Sequence, residues 1–202
     1  MSLPPEYFAR AWQDDDDPWR IAGRWYERRK RDLVMAVLPQ ERFGRALEVG
    51  CAAGHLSERL AGRCDDLLAC DVDGTAVALA RTRLAGSPHG ATVILEQRWL
   101  PAEYPEGGFD LVVVSEVGYY LGPEDLDLLA ARVTASLRPG GVLLACHWRH
   151  PAPGYPGDAA QVHGRLGARG LAVVAHHVEP DLLLDVWTTG EASVAREEGW
   201  LP

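Results

Sequence analysis

Short apolar runs alternate with stretches in which apolar residues recur every three to four positions, and this alternation organises most of the chain. Arg45–Val49 is a short apolar run that ends at a glycine. Gly54–Ala61 follows with Leu56 and Leu60 one turn apart, a spacing that predicts a helix. Leu67–Cys70 and Thr75–Leu84 repeat the strand and the helix. Thr92–Leu95 and Phe109–Ser115 are further strands, the second an unbroken apolar run (FDLVVVS) suited to burial on both faces. Pro123–Leu137 carries Leu126, Leu129, Ala130 and Val133 on one helical stripe. Pro139-Gly140-Gly141 turns into a strand at Val142–Cys146. A Pro/Gly-rich loop leads to a helix near Ala159–Leu166. Two last strands, Leu171–Val178 and Leu182–Thr188, are joined by Glu179-Pro180-Asp181 and read as a hairpin.

Strands alternating with helices imply right-handed crossovers and a mostly parallel sheet, here of seven strands, with an antiparallel hairpin at its edge. The fold class is α/β. Ahead of the sheet, Ile21–Leu38 reads as a helix with Leu33, Val34, Val37 and Leu38 on its buried stripe. Tyr7, Phe8, Trp12 and Trp19 precede it, and Trp25 and Tyr26 lie just inside. So many aromatics outside the sheet must cover something, either the sheet edge as a cap or a ligand at the strand ends as a lid. Residues 1–40 are therefore expected to form a helical cap or lid and 41–202 the ligand-binding part of a single domain, which suits 202 residues.

Composition narrows the functions. Twenty basic against twenty-nine acidic residues give a net charge of −9, a surface that repels a phosphate backbone, so no nucleic-acid partner is expected. The one basic run, Arg28-Arg29-Lys30-Arg31, lies in a helical pattern beside Glu27 and Asp32 and reads as a solvated helix face. Nineteen of the twenty basic residues are arginine, a skew attributed to genome composition. No stretch approaches the roughly 18–20 apolar residues of a membrane helix, and the acidic N-terminus is unlike a signal peptide. A cytoplasmic protein with no membrane partner is the expectation. Four cysteines without a CxxC pair disfavour both a disulfide framework and a thiolate zinc site, and Cys70 and Cys146 read as small core residues. His147, His150 and His163 lack a diagnostic metal spacing, so no metal is expected; His176 and His177 read as ordinary strand residues.

In open parallel sheets ligands bind beyond the carboxyl ends of the strands, where the strand order reverses. The loop after the first strand reads Leu47-Glu48-Val49-Gly50-Cys51-Ala52-Ala53-Gly54. Gly50 and Gly54 let backbone approach a ligand, and the helix behind them adds a partial positive charge; His55, at its start, reads as a helix cap. Asp71, followed by Val72, closes the second strand 21 residues after Gly50, where a carboxylate can accept both ribose hydroxyls of an adenosine group. Glu48 ahead of the first glycine would repel a pyrophosphate but suits a ligand with an ammonium group and a sulfonium.

With these motifs the sequence resembles the class I S-adenosylmethionine (SAM)-dependent methyltransferases, and within them the nodulation protein S family, N-methyltransferases acting on the freed amine of a chitin oligosaccharide. Asp16-Asp17-Pro18-Trp19-Arg20, Tyr26-Glu27-Arg28, Leu47–Gly54 and Ser115-Glu116-Val117-Gly118-Tyr119-Tyr120-Leu121 carry the resemblance, which spans roughly residues 14–145. It implies a Rossmann-like class I methyltransferase fold, SAM as cofactor with S-adenosylhomocysteine as product, and a small-molecule acceptor. The cofactor would then meet Glu48, Gly50, Cys51, Ala52 and Gly54 at the glycine loop and Asp71 with Val72 at the ribose. Gln97-Arg98-Trp99, followed by Leu100, stands where these families commonly carry an acid near the adenine. The adenine would rest on backbone N–H groups and the Trp99 ring, with Arg98 a weaker candidate. Trp19 and Arg20 would close over the methionine end, Arg20 pairing with its carboxylate, or else merely start a surface helix.

For the acceptor, Glu116 is the leading candidate to take the amine proton, with a structural carboxylate as the other reading. Of Tyr119 and Tyr120, one would orient the acceptor or face the sulfonium and the other pack as core. The likeness fades at His147-Trp148-Arg149-His150-Pro151, beside the acceptor pocket. If the strand continues, His147 and Arg149 share a side, and one of His147 and His150 is a candidate for function. An O-methyltransferase would favour His147 or His150 as base, and a non-catalytic SAM-binding protein would need the same cofactor loop.

Overall fold

The computed structural model describes residues 1–191 and 193–201, so positions 192 and 202 of the expected 41–202 part lie outside the described residues. In chain order the elements are α1 (Pro5–Gln13), α2 (Trp25–Val37), β1 (Phe43–Val49), α3 (His55–Ala61), β2 (Cys64–Asp71), α4 (Gly74–Ala85), β3 (Val93–Gln97) and β4 (Phe109–Ser115). They continue with α5 (Pro123–Ser136), β5 (Leu137–Trp148), α6 (Ala159–Gly167), β6 (Ala172–Val178), β7 (Leu182–Thr188) and the short α7 (Val194–Glu197). A 3-10 turn at Gly118–Tyr120 follows β4.

The seven strands order as β3-β2-β1-β4-β5-β7-β6. All pairs are parallel except those of β7, which runs antiparallel to both β5 and β6. This is the Rossmann-like class I methyltransferase fold, a mostly parallel sheet with an antiparallel hairpin. The hairpin does more than decorate the edge: its second strand inserts between β5 and β6, leaving β6 outermost. Alternation of side chains along each strand builds two apolar layers. Leu143 and Ala145 of β5 join α5 and α6 residues such as Leu129, Val133 and Val162 on one face. Val142, Leu144 and Cys146 join Val34 of α2, Leu60 of α3 and Ala80 of α4 on the other. The helix starts carry polar signals: the Asp73 carboxylate accepts from Thr75 N and Ala76 N, and Asp158 caps α6 through Gln161 N. All four cysteines are free and buried in these layers.

Residues 1–40 pack over the carboxyl ends of the strands. A helix at Pro5–Gln13 was not anticipated; its Trp12 is 3% exposed and packs on Ala53 and Ala76. The helix expected from Ile21 begins instead at Trp25, because the Asp17 carboxylate accepts from Ile21 N (2.6 Å) and Ala22 N (3.0 Å) and ties the chain into a turn. Polar tethers at both ends help hold the segment down. Leu3 N donates to Tyr120 O (2.9 Å), and Arg29 grips Glu179 of the β6–β7 turn with two bonds of 2.7 and 2.6 Å. No described helix is long and apolar enough to cross a membrane.

Candidate functional site

The order of the sheet reverses between β1 and β4, and a cavity of about 610 Å³ opens there, between the carboxyl ends of the strands and the α1–α2 segment. Its lining has two chemically distinct parts.

The first part is the loop after β1. Gly50 (φ +75°) and Ala52 (φ +47°) adopt left-handed backbone, and the loop is pinned to β2 by Gly50 N and Cys51 N donating to Cys70 O at 2.8 and 3.0 Å. A Cβ on Gly50 would lie 2.2 Å from Val117, so only glycine fits between the two strand ends. Asp71 faces this loop. Its carboxylate accepts from Ala52 N (2.9 Å) and Asp73 N (3.0 Å), which fixes its orientation while leaving lone pairs directed at the cavity. Glu48, Cys51, Val72, Arg98, Trp99 and Leu100 line the same part. Arg98 spends its guanidinium on Glu96 (2.5 Å) and Glu103 O (3.1 Å), and Trp99 is half exposed. Gly54 does not line the cavity; it is the left-handed entry to α3 and packs on Ala80.

Burial pushes the Glu48 carboxyl up to about 8, partly opposed by the Ser57 hydroxyl that donates to it at 2.5 Å. Burial likewise pushes Asp71 up to about 6, against the pull of the backbone N–H groups. Both groups bind protons in the folded chain at pH values where they are ionised in the unfolded chain. Their contribution to stability is full below the ordinary carboxyl range and is lost as pH rises through about 6 and then about 8. Between about pH 7 and 8.5 the ligand-free melting midpoint should fall, and Glu48→Gln should abolish that fall. A wild-type midpoint constant across this range would contradict the assignment.

The second part is built around Glu116, at the end of β4. Glu116 has φ +58°, an uncommon conformation for a residue with a side chain, and such strain concentrates at functional positions. Its carboxylate receives Lys30 Nζ on Oε1 (2.9 Å) and both the Tyr119 hydroxyl and Trp148 N (3.2 Å) on Oε2. Lys30 is bound in turn by Glu27 (2.9 Å). Burial alone would lower the Lys30 ammonium, yet the Glu116 and Glu27 carboxylates raise it, and the group stays charged. Tyr26, Tyr120, Tyr155 and Trp148 complete an aromatic wall, with Tyr26 edge-on to Trp148 at 5.2 Å. Burial holds the Tyr119 and Tyr120 hydroxyls well above the ordinary phenol range, so both remain protonated.

Several expectations need correction. The basic run is not a solvated face: Lys30 and Arg31 are 6% and 8% exposed, and both line the cavity. The chain contains one lysine, and it is this one. A compact ammonium fits between two carboxylates where a planar guanidinium fork would not. Arg20 does not face the cavity. The Asp17 turn leaves it in left-handed backbone (φ +60°), and its guanidinium pairs outside with Asp15 at 2.8 Å. Trp19 does line the cavity, with Trp12 beside it at 5.4 Å between rings.

Neither histidine offered as a candidate for function reaches the cavity, and β5 ends at Trp148, before Arg149. His147 shares the face of Leu143 and Ala145 and lies beneath the cavity wall, fully buried, while Trp148 shares the face of Cys146 and reaches the cavity. His150 sits outside, half exposed and paired with Asp181 at 2.6 Å. Tyr119 and Tyr120 both line the cavity and both belong to the core. His55 is not a cap. It lines the cavity and its Nε2 accepts from Arg83 (3.0 Å); burial, then Arg83 and Arg31, lower it to about 4. Among the described residues no group of three or more His, Cys, Asp or Glu side chains is placed to hold a metal ion.

The residues present fit an adenosine ligand with an amino-acid tail. A carboxylate held by two backbone N–H groups stands at the end of β2, a glycine that no Cβ could replace at the end of β1, and Arg31 and buried Glu48 in the same cavity. Comparison with known proteins agrees. A crystal structure from Pseudomonas syringae is 48% identical and aligns over 82% of this chain and 99% of its own, with a TM-score of 0.69. The N-methyltransferase NodS from Bradyrhizobium japonicum WM9, solved with S-adenosyl-L-homocysteine, is 27% identical over 91% of this chain and 96% of its own, with a TM-score of 0.80. Nodulation protein S from Rhizobium tropici is 37% identical over 131 residues, 64% of this chain and 54% of that protein, so the chain spans about half the length of the curated relatives it matches. The family model for Nodulation protein S (NodS) matches residues 8–147, and the chain belongs to that family.

Proposed function

We propose that this protein is a SAM-dependent N-methyltransferase whose acceptor is an amine on a small molecule, an amino sugar being the best fit. The observation that carries the reading is Glu116: a strained carboxylate at the switch point, held by Lys30 and Tyr119, in one cavity with the Gly50 loop and Asp71. When bound, SAM supplies an electrophilic methyl group on a sulfonium. Asp71 would accept the ribose hydroxyls, and Arg31 would take the methionine carboxylate in place of Arg20. The Glu48 carboxyl would meet the ammonium of the methionine end, whose positive charge favours its ionised form.

The protein's part in a direct displacement is orientation and electrostatics. Glu116 Oε1 keeps a lone pair beside Lys30, which accepts an N–H of the amine and leaves the nitrogen lone pair free to attack. Positive charge develops on that nitrogen as the bond to carbon forms, and the Glu116 and Glu27 carboxylates face it. The N-methylammonium so formed passes its extra proton to the Glu116 carboxylate and from there to solvent. The aromatic wall of Tyr26, Tyr120 and Trp148 offers flat apolar surface on which a sugar ring can stack. A neutral hydroxyl acceptor would need a base, and neither histidine considered for that role reaches the cavity: His147 is buried beneath it and His150 lies outside.

The test is an acceptor screen with glucosamine oligomers and their N-acetylated forms. Methyl transfer to the free amines and not to the acetylated forms supports the reading; transfer to neither, or to hydroxyl acceptors instead, overturns it. Glu116→Gln should lower turnover by about a hundredfold with S-adenosylhomocysteine affinity within about twofold of wild type. Equal turnover would remove Glu116 from the reaction.

A further inference from the structure

Behind the aromatic wall, out of contact with the cavity, three buried polar side chains form a line. His147 Nε2 accepts from Gly118 N at 3.2 Å, His147 Nδ1 meets His163 Nε2 at 3.0 Å, and His163 Nδ1 meets Asp185 Oδ2 at 2.5 Å. The three residues are 0%, 5% and 6% exposed, on β5, α6 and β7. Burying such groups in an apolar layer is costly unless every polar atom is satisfied, and here no described buried side-chain polar atom lacks a partner.

The direction of the line follows from its first bond. A backbone N–H can only donate, so His147 Nε2 is an acceptor and its proton sits on Nδ1. That N–H donates to His163 Nε2, which puts the His163 proton on Nδ1, and that N–H donates to the Asp185 carboxylate. Both imidazoles are thus neutral, in a single tautomer, set by the carboxylate at one end and the amide at the other. Burial holds His147 well below the ordinary imidazole range. Asp185 also accepts from His176 on the outer face at 2.5 Å.

The amide at the end of the line opens the Gly118–Tyr120 turn that carries Tyr119 and Tyr120. The same glycine is pressed against α6, where a Cβ would lie 2.4 Å from Val162. Fixing Gly118 therefore fixes the two tyrosines, and Tyr119 is the hydroxyl donor to Glu116. We infer that His163 and Asp185, acting through His147, are positioning residues that set the acceptor wall for methyl transfer. Their role in turnover rests on the function proposed above; the tautomer line does not.

Two measurements test this. The first is a long-range proton–nitrogen correlation spectrum of the full chain, labelled at histidine nitrogen, at about pH 7. His147 and His163 should both show a protonated Nδ1 and a bare Nε2. An Nε2-protonated tautomer or an imidazolium at either position overturns the line, whatever the enzyme's activity. The second compares His163→Leu with His163→Gln, since a glutamine amide can accept from His147 and donate to Asp185. His163→Leu should raise the acceptor KM about tenfold and speed hydrogen exchange at the Gly118 amide, with S-adenosylhomocysteine affinity within about twofold; His163→Gln should restore both. An unchanged KM, or equal loss of acceptor and cofactor binding, overturns the positioning role. A wild-type protein that methylates nothing sinks the proposed function instead and leaves the spectrum to judge the line.

Discussion

Replacing Asp71 by alanine should weaken S-adenosylhomocysteine binding by tenfold or more, about 1.4 kcal/mol at least. Two effects add. The ribose hydroxyls lose a charged acceptor, and hydrogen bonds to charged groups are worth about 1.5–3 kcal/mol each. The Gly50 loop also loses one of its ties to β2, because the same carboxylate holds Ala52 N, while Gly50 N and Cys51 N stay on Cys70 O. The second effect adds to the first, since a less firmly tied loop must be ordered further when a ligand binds. Asp71→Asn keeps one oxygen acceptor and should fall between wild type and alanine. Titration calorimetry of the three proteins decides the matter, and equal affinities would remove Asp71 from the ribose.

Lys30→Met should produce the largest loss of stability. Methionine fills similar volume, so packing is kept while Glu27 and Glu116 are left facing each other without the cation between them. Breaking a buried pair by removing one partner costs about 3–5 kcal/mol. The lower figure applies here, because the Glu116 side chain is 25% exposed and water can compensate in part. For a chain of this size that lowers the melting midpoint by roughly 6–12 °C. Adding Glu27→Gln removes one of the two repelling charges and should recover about half of the loss. Lys30→Arg should not restore the wild type, since the guanidinium brings more volume and a different donor geometry into the same gap. A midpoint shift of less than about 2 °C for Lys30→Met would mean the ammonium contributes little to the fold.

Lys30 also marks where sequence reading stops. The strands were legible because each contains a short apolar run, as in Leu67–Cys70 and Phe109–Ser115. β7 was located residue for residue, and the Gly50 loop and Asp71 stood where strand–loop–helix periodicity demands. Lys30 and Arg31 were misread because a run of four basic residues carries the pattern of a solvated face, and the partner that changes their meaning, Glu116, is 86 positions away. The one local signal is compositional: Lys30 is the single lysine among twenty basic residues. The burial of His147 away from the cavity has a different origin. Alternation along β5 separates His147 from Trp148, but which side faces the ligand depends on where α2 and α6 pack, and no local pattern encodes that. α1 was missed for a similar reason, since Trp12 is anchored by Ala53 and Ala76, two small residues from distant segments.

The cap is fastened on its two sides by forces of different kinds. On the α2 side the Arg29–Glu179 pair is half exposed, at 40% and 20% of its side-chain surface; on the α1 side Trp12 is sunk among apolar neighbours. Dissolved ions screen the first contact and leave the second untouched. Ionic strength should therefore act on the Arg29–Glu179 edge while Val34 and Trp12 stay sunk in the core, and exchange of a ligand past that edge is expected to be faster in concentrated than in dilute salt.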